Sequence, residues 1–242
     1  MRETLNISLP KGWHEMTDWQ LKYTFRSLTE DETLTDDELT TYCFFRFGGL
    51  VPIRKTKDGI EVEQGGKRYR LTATQIAEAL PTLDYLKSLP KYPVRLATAG
   101  GARAISAEME EVTFEEYIVM DNYHAGYLHT KDASMIDEIG KTLYRGAGKF
   151  KAWERTNIFY WYASWKIWIS ERYSYLFRPE SGGNMMGSGD IGRQRQESID
   201  NQIRALTGGD VTKEGQIRQI PVHRALTELN AQAREYEQIK KR

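Results

Sequence analysis

The sequence predicts a mainly α protein, a helical bundle carrying a small antiparallel β-meander as an insertion. Three observations predict it. Four tetrads, Thr17 to Gln20, Thr35 to Glu38, Thr72 to Gln75 and Thr113 to Glu116, each precede residues that are apolar at helical spacing. Short alternating segments punctuated by Asp58-Gly59 and Gly65-Gly66 fill 51–72, between the second and third tetrads. From Thr113 onward the apolar pattern is helical almost to the end.

Each tetrad fits the capping box, in which a Thr hydroxyl accepts from the third backbone N–H beyond while a Glu or Gln reaches back. The boxes predict helices over 18–28, 36–47, 73–88 and 114–128, the third interrupted at Pro81. Between them, Val51 to Lys55, Ile60 to Val62 and Tyr69 to Leu71 alternate like strands, and the Asp-Gly and Gly-Gly pairs supply the turns. Pro93-Val94-Arg95-Leu96 reads as one more short strand, closed by a turn at Gly100-Gly101. Further helices are expected over 132–145, 151–177, 193–206 and 222–240. The Gly- and Ser-rich stretch between two of these reads as a mobile loop, and Gly208-Gly209 as a helix C-terminus. The domain organisation expected is an N-terminal α+β region, 1–110, and a C-terminal helical region, 111–242, with a flexible loop near 178–192.

Composition narrows the function classes. Hydrophobic residues are 40% and charged residues 28%, a globular balance. Lys+Arg and Asp+Glu stand at 34 each, so no net field draws the 242-residue chain to nucleic acid or to an anionic membrane. Cys43 is the only cysteine, which excludes an internal disulfide framework, and its apolar setting reads as a small buried hydrophobe. The N-terminus lacks a signal-peptide pattern, and no apolar run reaches the roughly 18 residues of a membrane span, so a reducing cytoplasm is expected.

No pattern of catalytic, cofactor-binding or metal-ligating residues is found. His124 and His129 are five apart, which turns their rings away from each other on a helix, whereas zinc helices use a spacing of four. His14 and His223 have no ligand pattern near them. Ala99-Gly100-Gly101-Ala102-Arg103 lacks the Gly-Lys-Ser/Thr ending of a phosphate loop, and Gly187-Ser188-Gly189 lacks the spacing of a nucleophile elbow. Lys67-Arg68-Tyr69-Arg70 and Arg193-Gln194-Arg195 read as solvated surface. Trp153, Trp161, Trp165 and Trp168, widened by Phe159, Tyr162, Ile169 and Tyr173, make one helix apolar around most of its girth. Core is the first reading, ahead of a partner surface or a platform for nucleobases.

Two segments point to partner binding. Met185 and Met186 sit side by side in the glycine-rich loop, and exposed methionines adapt to varied apolar surfaces. Val222, Leu226, Leu229, Ala233 and Tyr236 form a narrow apolar seam flanked by charges, which pairs with a helix of this chain or of a second copy. The candidate partner-binding residues are therefore Met185, Met186, Leu226, Leu229 and Tyr236.

Leu9-Pro10-Lys11-Gly12-Trp13-His14-Glu15-Met16-Thr17-Asp18-Trp19-Gln20-Leu21 resembles an N-terminal signature of proteins from the tail and head–tail assembly regions of tailed phages and prophages of gut Bacteroidales. The stretch from Phe159 through Thr207-Gly208-Gly209-Asp210 to Ala225-Leu226-Thr227-Glu228-Leu229-Asn230 is similar to the rest of that group. The likeness rests on apolar and turn residues and transfers no site residues. It implies a non-enzymatic assembly or virion protein, a tail-assembly chaperone or head–tail connector. Its expected partners are other phage structural or assembly proteins or a second copy of the chain, with no membrane contact and with nucleic acid only under the alternative below. Its expected place is the host cytoplasm or the virion. The alternative is a small phage enzyme or nucleic-acid-binding protein.

Overall fold

A computed structural model describes Leu5 and residues 7–31, 33–178 and 191–240. The chain is mainly α with a small β-meander. Its α-helices are α1 (Asp18–Glu30), α2 (Asp36–Phe47), α3 (Ala73–Ala79), α4 (Phe114–Thr130), α5 (Ala133–Leu143), α6 (Ala152–Arg172), α7 (Ile191–Thr207), α8 (Glu214–Arg218) and α9 (Val222–Lys240). The strands β1 (Val51–Thr56), β2 (Gly59–Gln64) and β3 (Lys67–Thr72) form one antiparallel sheet in the order β1-β2-β3. Among the described residues, no helix is long and apolar enough to cross a membrane.

The capping boxes form where the sequence places them. Thr35, Thr72 and Thr113 accept from the backbone N–H of Glu38, Gln75 and Glu116 at 3.3, 3.2 and 3.2 Å. The return bonds, from the Thr backbone N–H to the Glu or Gln side chain, are 2.8–2.9 Å. At Thr17 the return bond to Gln20 is made at 2.8 Å. The expected helix over 73–88 divides: α3 ends at Ala79 and Leu80–Lys87 continues as a 3₁₀ helix. Pro81 has no N–H for an α-helical bond and crowds the carbonyl four residues back, so the tighter winding replaces the α form.

Two further expectations are corrected. Pro93 to Leu96 is not a strand; the backbone pairs only beyond it, in the two-residue strands β4 (Thr98–Ala99) and β5 (Ala102–Arg103) on either side of Gly100-Gly101. The Leu96 N–H instead donates to Asn157 Oδ1 at 3.1 Å and its carbonyl accepts from Tyr144 Oη at 3.0 Å, so side chains meet the needs a strand partner would have met. The helix expected over 151–177 ends at Arg172, and turns follow. There Asn230 of α9 accepts the N–H groups of Tyr175 and Leu176 at 3.0 and 3.2 Å, closing the chain against a different helix. Of the loop expected near 178–192, residues 179–190 lie outside the described residues, and α7 already begins at Ile191.

In the meander, Gly65 and Gly66 have φ of +58° and +78°, the left-handed pair that a two-residue hairpin turn needs. Ile60 and Val62 face Leu71 and Tyr69 across the β2–β3 register and turn inward. The other face carries Arg54 and Arg70 opposite Glu61. Ion pairs join Arg54 to Glu61 at 2.6 Å and Arg70 to Asp58 at 2.7 Å. Arg68 and Arg70 of the basic run on β3 are therefore paired with acids of the same meander, Glu61 and Asp58.

Two apolar clusters fill the interior. One joins Trp13, Phe25, Phe44, Val62, Leu83 and other residues of the first hundred to Trp153. The second runs from Ala99 to Leu229 and holds Trp161, Trp165, Phe114 and Ile139. α6 supplies both, Trp153 to the first and Trp161 with Trp165 to the second. Trp161, Tyr162 and Trp165 are wholly buried, whereas Trp168 is half-buried at the rim. Cys43 is buried on α2, 3.8 Å from Thr24 Oγ1.

Candidate functional site

Polar and aromatic groups converge on residues 105–112, the segment entering α4. Short bonds fold this segment on itself. The Ser106 N–H and hydroxyl both donate to the Glu111 carboxylate, and the Glu110 N–H donates to Ser106 Oγ at 2.9 Å. α6 clamps it from below: indole N–H groups one turn apart, on Trp161 and Trp165, donate to the successive carbonyls of Ala107 and Glu108, each at 2.8 Å. A buried indole N–H needs an acceptor, and here that need fixes a loop. Met109 has φ of +61°, a left-handed conformation that a bulky side chain rarely adopts. Its side chain is fully buried, so packing holds the strained turn.

His223, at the start of α9, closes the clamp. Its Nε2 lies 2.6 Å from the Glu108 carbonyl, and its Nδ1 lies 3.0 Å from Tyr173 Oη. A carbonyl cannot donate, so Nε2 carries the proton, and in the neutral ring Nδ1 accepts from the tyrosine. Both ring nitrogens are thereby engaged within the chain. The imidazole thus ties residues 105–112 to the start of α9 and to Tyr173.

Above the clamp, the Glu108 side chain accepts from Tyr92 Oη at 2.6 Å and lies 3.9 Å from Arg172 Nη1. The bond to Glu108, followed by partial burial, raises the Tyr92 pKa above the ordinary phenol value. The Arg172 guanidinium sits 4.9 Å from the Trp168 ring centre, and Tyr92 and His223 approach the same indole edge-on at 6.1 and 5.7 Å. Tyr92 is 45% exposed. Beside this group opens a cavity of about 620 Å³, with Leu206, Ile217 and Ile220 among its apolar lining and Arg172 and Arg224 among its charged lining. The result is a rim of Tyr92, Trp168 and Arg172 beside a hollow of mixed apolar and charged lining.

The residues expected from the sequence to bind a partner lie elsewhere. Met185 and Met186 fall outside the described residues. Leu226 and Leu229 are 0% and 4% exposed and belong to the chain's own core, so of the two pairings expected for the seam these residues make the one within this chain. The physical reason is the start of α9: the Val222 N–H donates to the Val112 carbonyl at 2.9 Å, turning that face inward. Tyr236, 70% exposed, continues the seam beyond that core. His124 is buried on α4, stacked on Phe159 at 5.8 Å. Among the described residues, no three His, Cys, Asp or Glu side chains are grouped as a metal site. Gly100 and Gly101 form the β4–β5 turn; a side chain at Gly100 would strike Phe150 at 2.9 Å.

Glu108, Tyr92 and Arg172 carried no sequence signal as a site, and Trp168 and Tyr173 carried one only as members of the aromatic stripe. Tyr92 and Glu108 are 16 residues apart, and Tyr173 and His223 are 50 apart. The one usable sign was the spacing of Trp161 and Trp165, whose N–H groups point the same way and both require acceptors. Compared with known proteins, the chain matches no family model, no curated protein and no solved structure.

Proposed function

We propose that the protein works by protein–protein contact rather than catalysis, in the assembly or the particle of a tailed phage, as a tail-assembly chaperone or head–tail connector. The observation that carries this reading is the Tyr92–Trp168–Arg172 rim. Tyr, Trp and Arg are the side chains enriched at the energetic centres of protein interfaces. Here they are held by stacking and by Glu108, so a partner meets a surface already ordered and less freedom is lost on binding. The engagement of both His223 nitrogens supports a structural use of the one histidine at this face. The sequence likeness to assembly-region proteins supplies the phage setting, with the host cytoplasm or virion as its place. Other phage structural or assembly proteins are then the partners.

The test is co-expression of the chain with each product of its flanking genes, followed by size-exclusion chromatography. A stable complex with a tail or head–tail component is expected, lost in the doubly substituted Tyr92→Ser, Arg172→Glu protein. Absence of any complex, together with salt-steep binding to nucleic acid, would overturn the reading.

A further inference from the structure

We infer that Lys22, Arg26 and Lys151, gathered round Trp153, form a docking point for a short acidic segment of a protein partner. This rests on the reading of protein–protein contact but uses a face without the Tyr92–Trp168–Arg172 rim, so either can fail alone.

Lys22 and Arg26 stand one turn apart on α1, and Lys151 immediately precedes α6. Their charged ends lie 5.2, 5.1 and 6.0 Å from the centre of the Trp153 ring. α1 is fixed against α6 by the Phe25–Tyr160 ring contact at 5.5 Å and by the Thr29–Thr156 hydroxyl bond at 2.6 Å. The three cations are therefore brought together by the helix crossing. All three are exposed, Trp153 is 9% exposed, and among the described residues none of the three has an ion pair. Arg68 and Arg70 on β3 pair with Glu61 and Asp58; among the described residues, these three cations have no such acid. The nearest acid on α6, Glu154, is buried and its oxygens accept the backbone N–H groups of Lys151 and Gly100 at 2.7 and 3.4 Å.

Like charges around one indole repel one another, and each stack over the ring returns only about 0.5–1 kcal/mol at an exposed site. An arriving carboxylate relieves that repulsion and gains charge-assisted hydrogen bonds, two of them in the fork of Arg26. The patch is also bounded. Asp18 lies one turn before Lys22 and Glu30 one turn after Arg26, so a long polyanion running along α1 meets like charge at both ends. The cations themselves stack on the indole, so the ring is not free to receive a nucleobase. A compact group of carboxylates on a peptide fits these limits better than a nucleic-acid backbone.

The probe is hexaglutamate, titrated at fixed low salt into the full chain while the indole N–H resonance of Trp153, identified with Trp153→Phe, is followed by NMR. A saturable shift is expected, with affinity weakened at least about fivefold in the Lys22→Gln, Arg26→Gln protein. The other indole resonances should stay in place, reporting an intact fold. The proposal is overturned by no shift, by a shift of equal affinity in the double variant, or by equal affinity for inorganic phosphate. Tighter binding of an oligothymidylate of the same charge would also overturn it, in favour of a nucleic-acid contact.

Discussion

Trp165 shows how one side chain can serve two levels of structure. Its ring is wholly buried between Tyr117 and Tyr162, at 5.7 and 5.9 Å, while its N–H holds the Glu108 carbonyl. Trp165→Ala should cost about 3–5 kcal/mol in urea unfolding, through lost burial and the cavity left behind. A loss under about 1 kcal/mol would mean that the loop and α6 are not coupled as described. Cys43 gives a second test. Burial pushes its thiol up to about 12, the hydrogen bond with Thr24 being the lesser, opposing effect. The folded state thus retains a proton that the unfolded chain, with a thiol near 8.5, releases. The sign follows: the contribution to stability is whole below the unfolded value and is lost as pH rises from about 8.5 towards 12. Burial raises the hydroxyls of Tyr85 and Tyr144 in the same direction. Stability should fall on the alkaline side, less steeply in Cys43→Ala, and a thiol reagent at pH 8 should label Cys43 only after unfolding. Rapid labelling of the folded chain would contradict its burial.

At the scale of elements, what the sequence made legible was whatever is decided locally. A capping box needs four consecutive residues and a glycine turn needs two, so α1, α2, α4 and the meander could be placed from the chain alone. The 3₁₀ segment after α3 follows from Pro81 for the same reason. What was not legible depends on residues far apart. Nothing near Pro93 to Leu96 shows that Asn157 and Tyr144 will satisfy Leu96, so locally the run has the pattern of a strand. Nothing near α9 shows that Val112 will turn Leu226 and Leu229 inward. The candidate site was illegible for the same reason, since its parts come from Tyr92, Glu108, the end of α6 and the start of α9. Close packing between elements gives a test whose sign is decisive. Gly140 lies within α5, where Ala is ordinarily better than Gly by about 1 kcal/mol. A Cβ there would stand 2.7 Å from both Ile158 and Phe150. Gly140→Ala should therefore destabilise by about 1–3 kcal/mol through overpacking, whereas stabilisation would mean that α5 and α6 approach less closely. Thr113→Ala, which removes a formed cap, should cost about 1 kcal/mol.

Over the whole molecule, α6 is the element on which the rest is organised. It enters both apolar clusters, clamps residues 105–112 through two indoles, and carries Trp168 and Arg172 at the rim. That arrangement makes the proposed docking face an extension of the core, so its shape should not change when a partner arrives. The most direct measurement is therefore the affinity of the partner identified by co-expression, determined by calorimetry for the native chain and for Arg172→Glu, beside the melting temperature of each. The account predicts an affinity at least about tenfold weaker in the variant, as expected when an arginine at an interface centre is reversed in charge. The melting temperature should stay within about 2 °C, because Arg172 is largely exposed. An unchanged affinity with an unchanged melting temperature would contradict the assignment of this face.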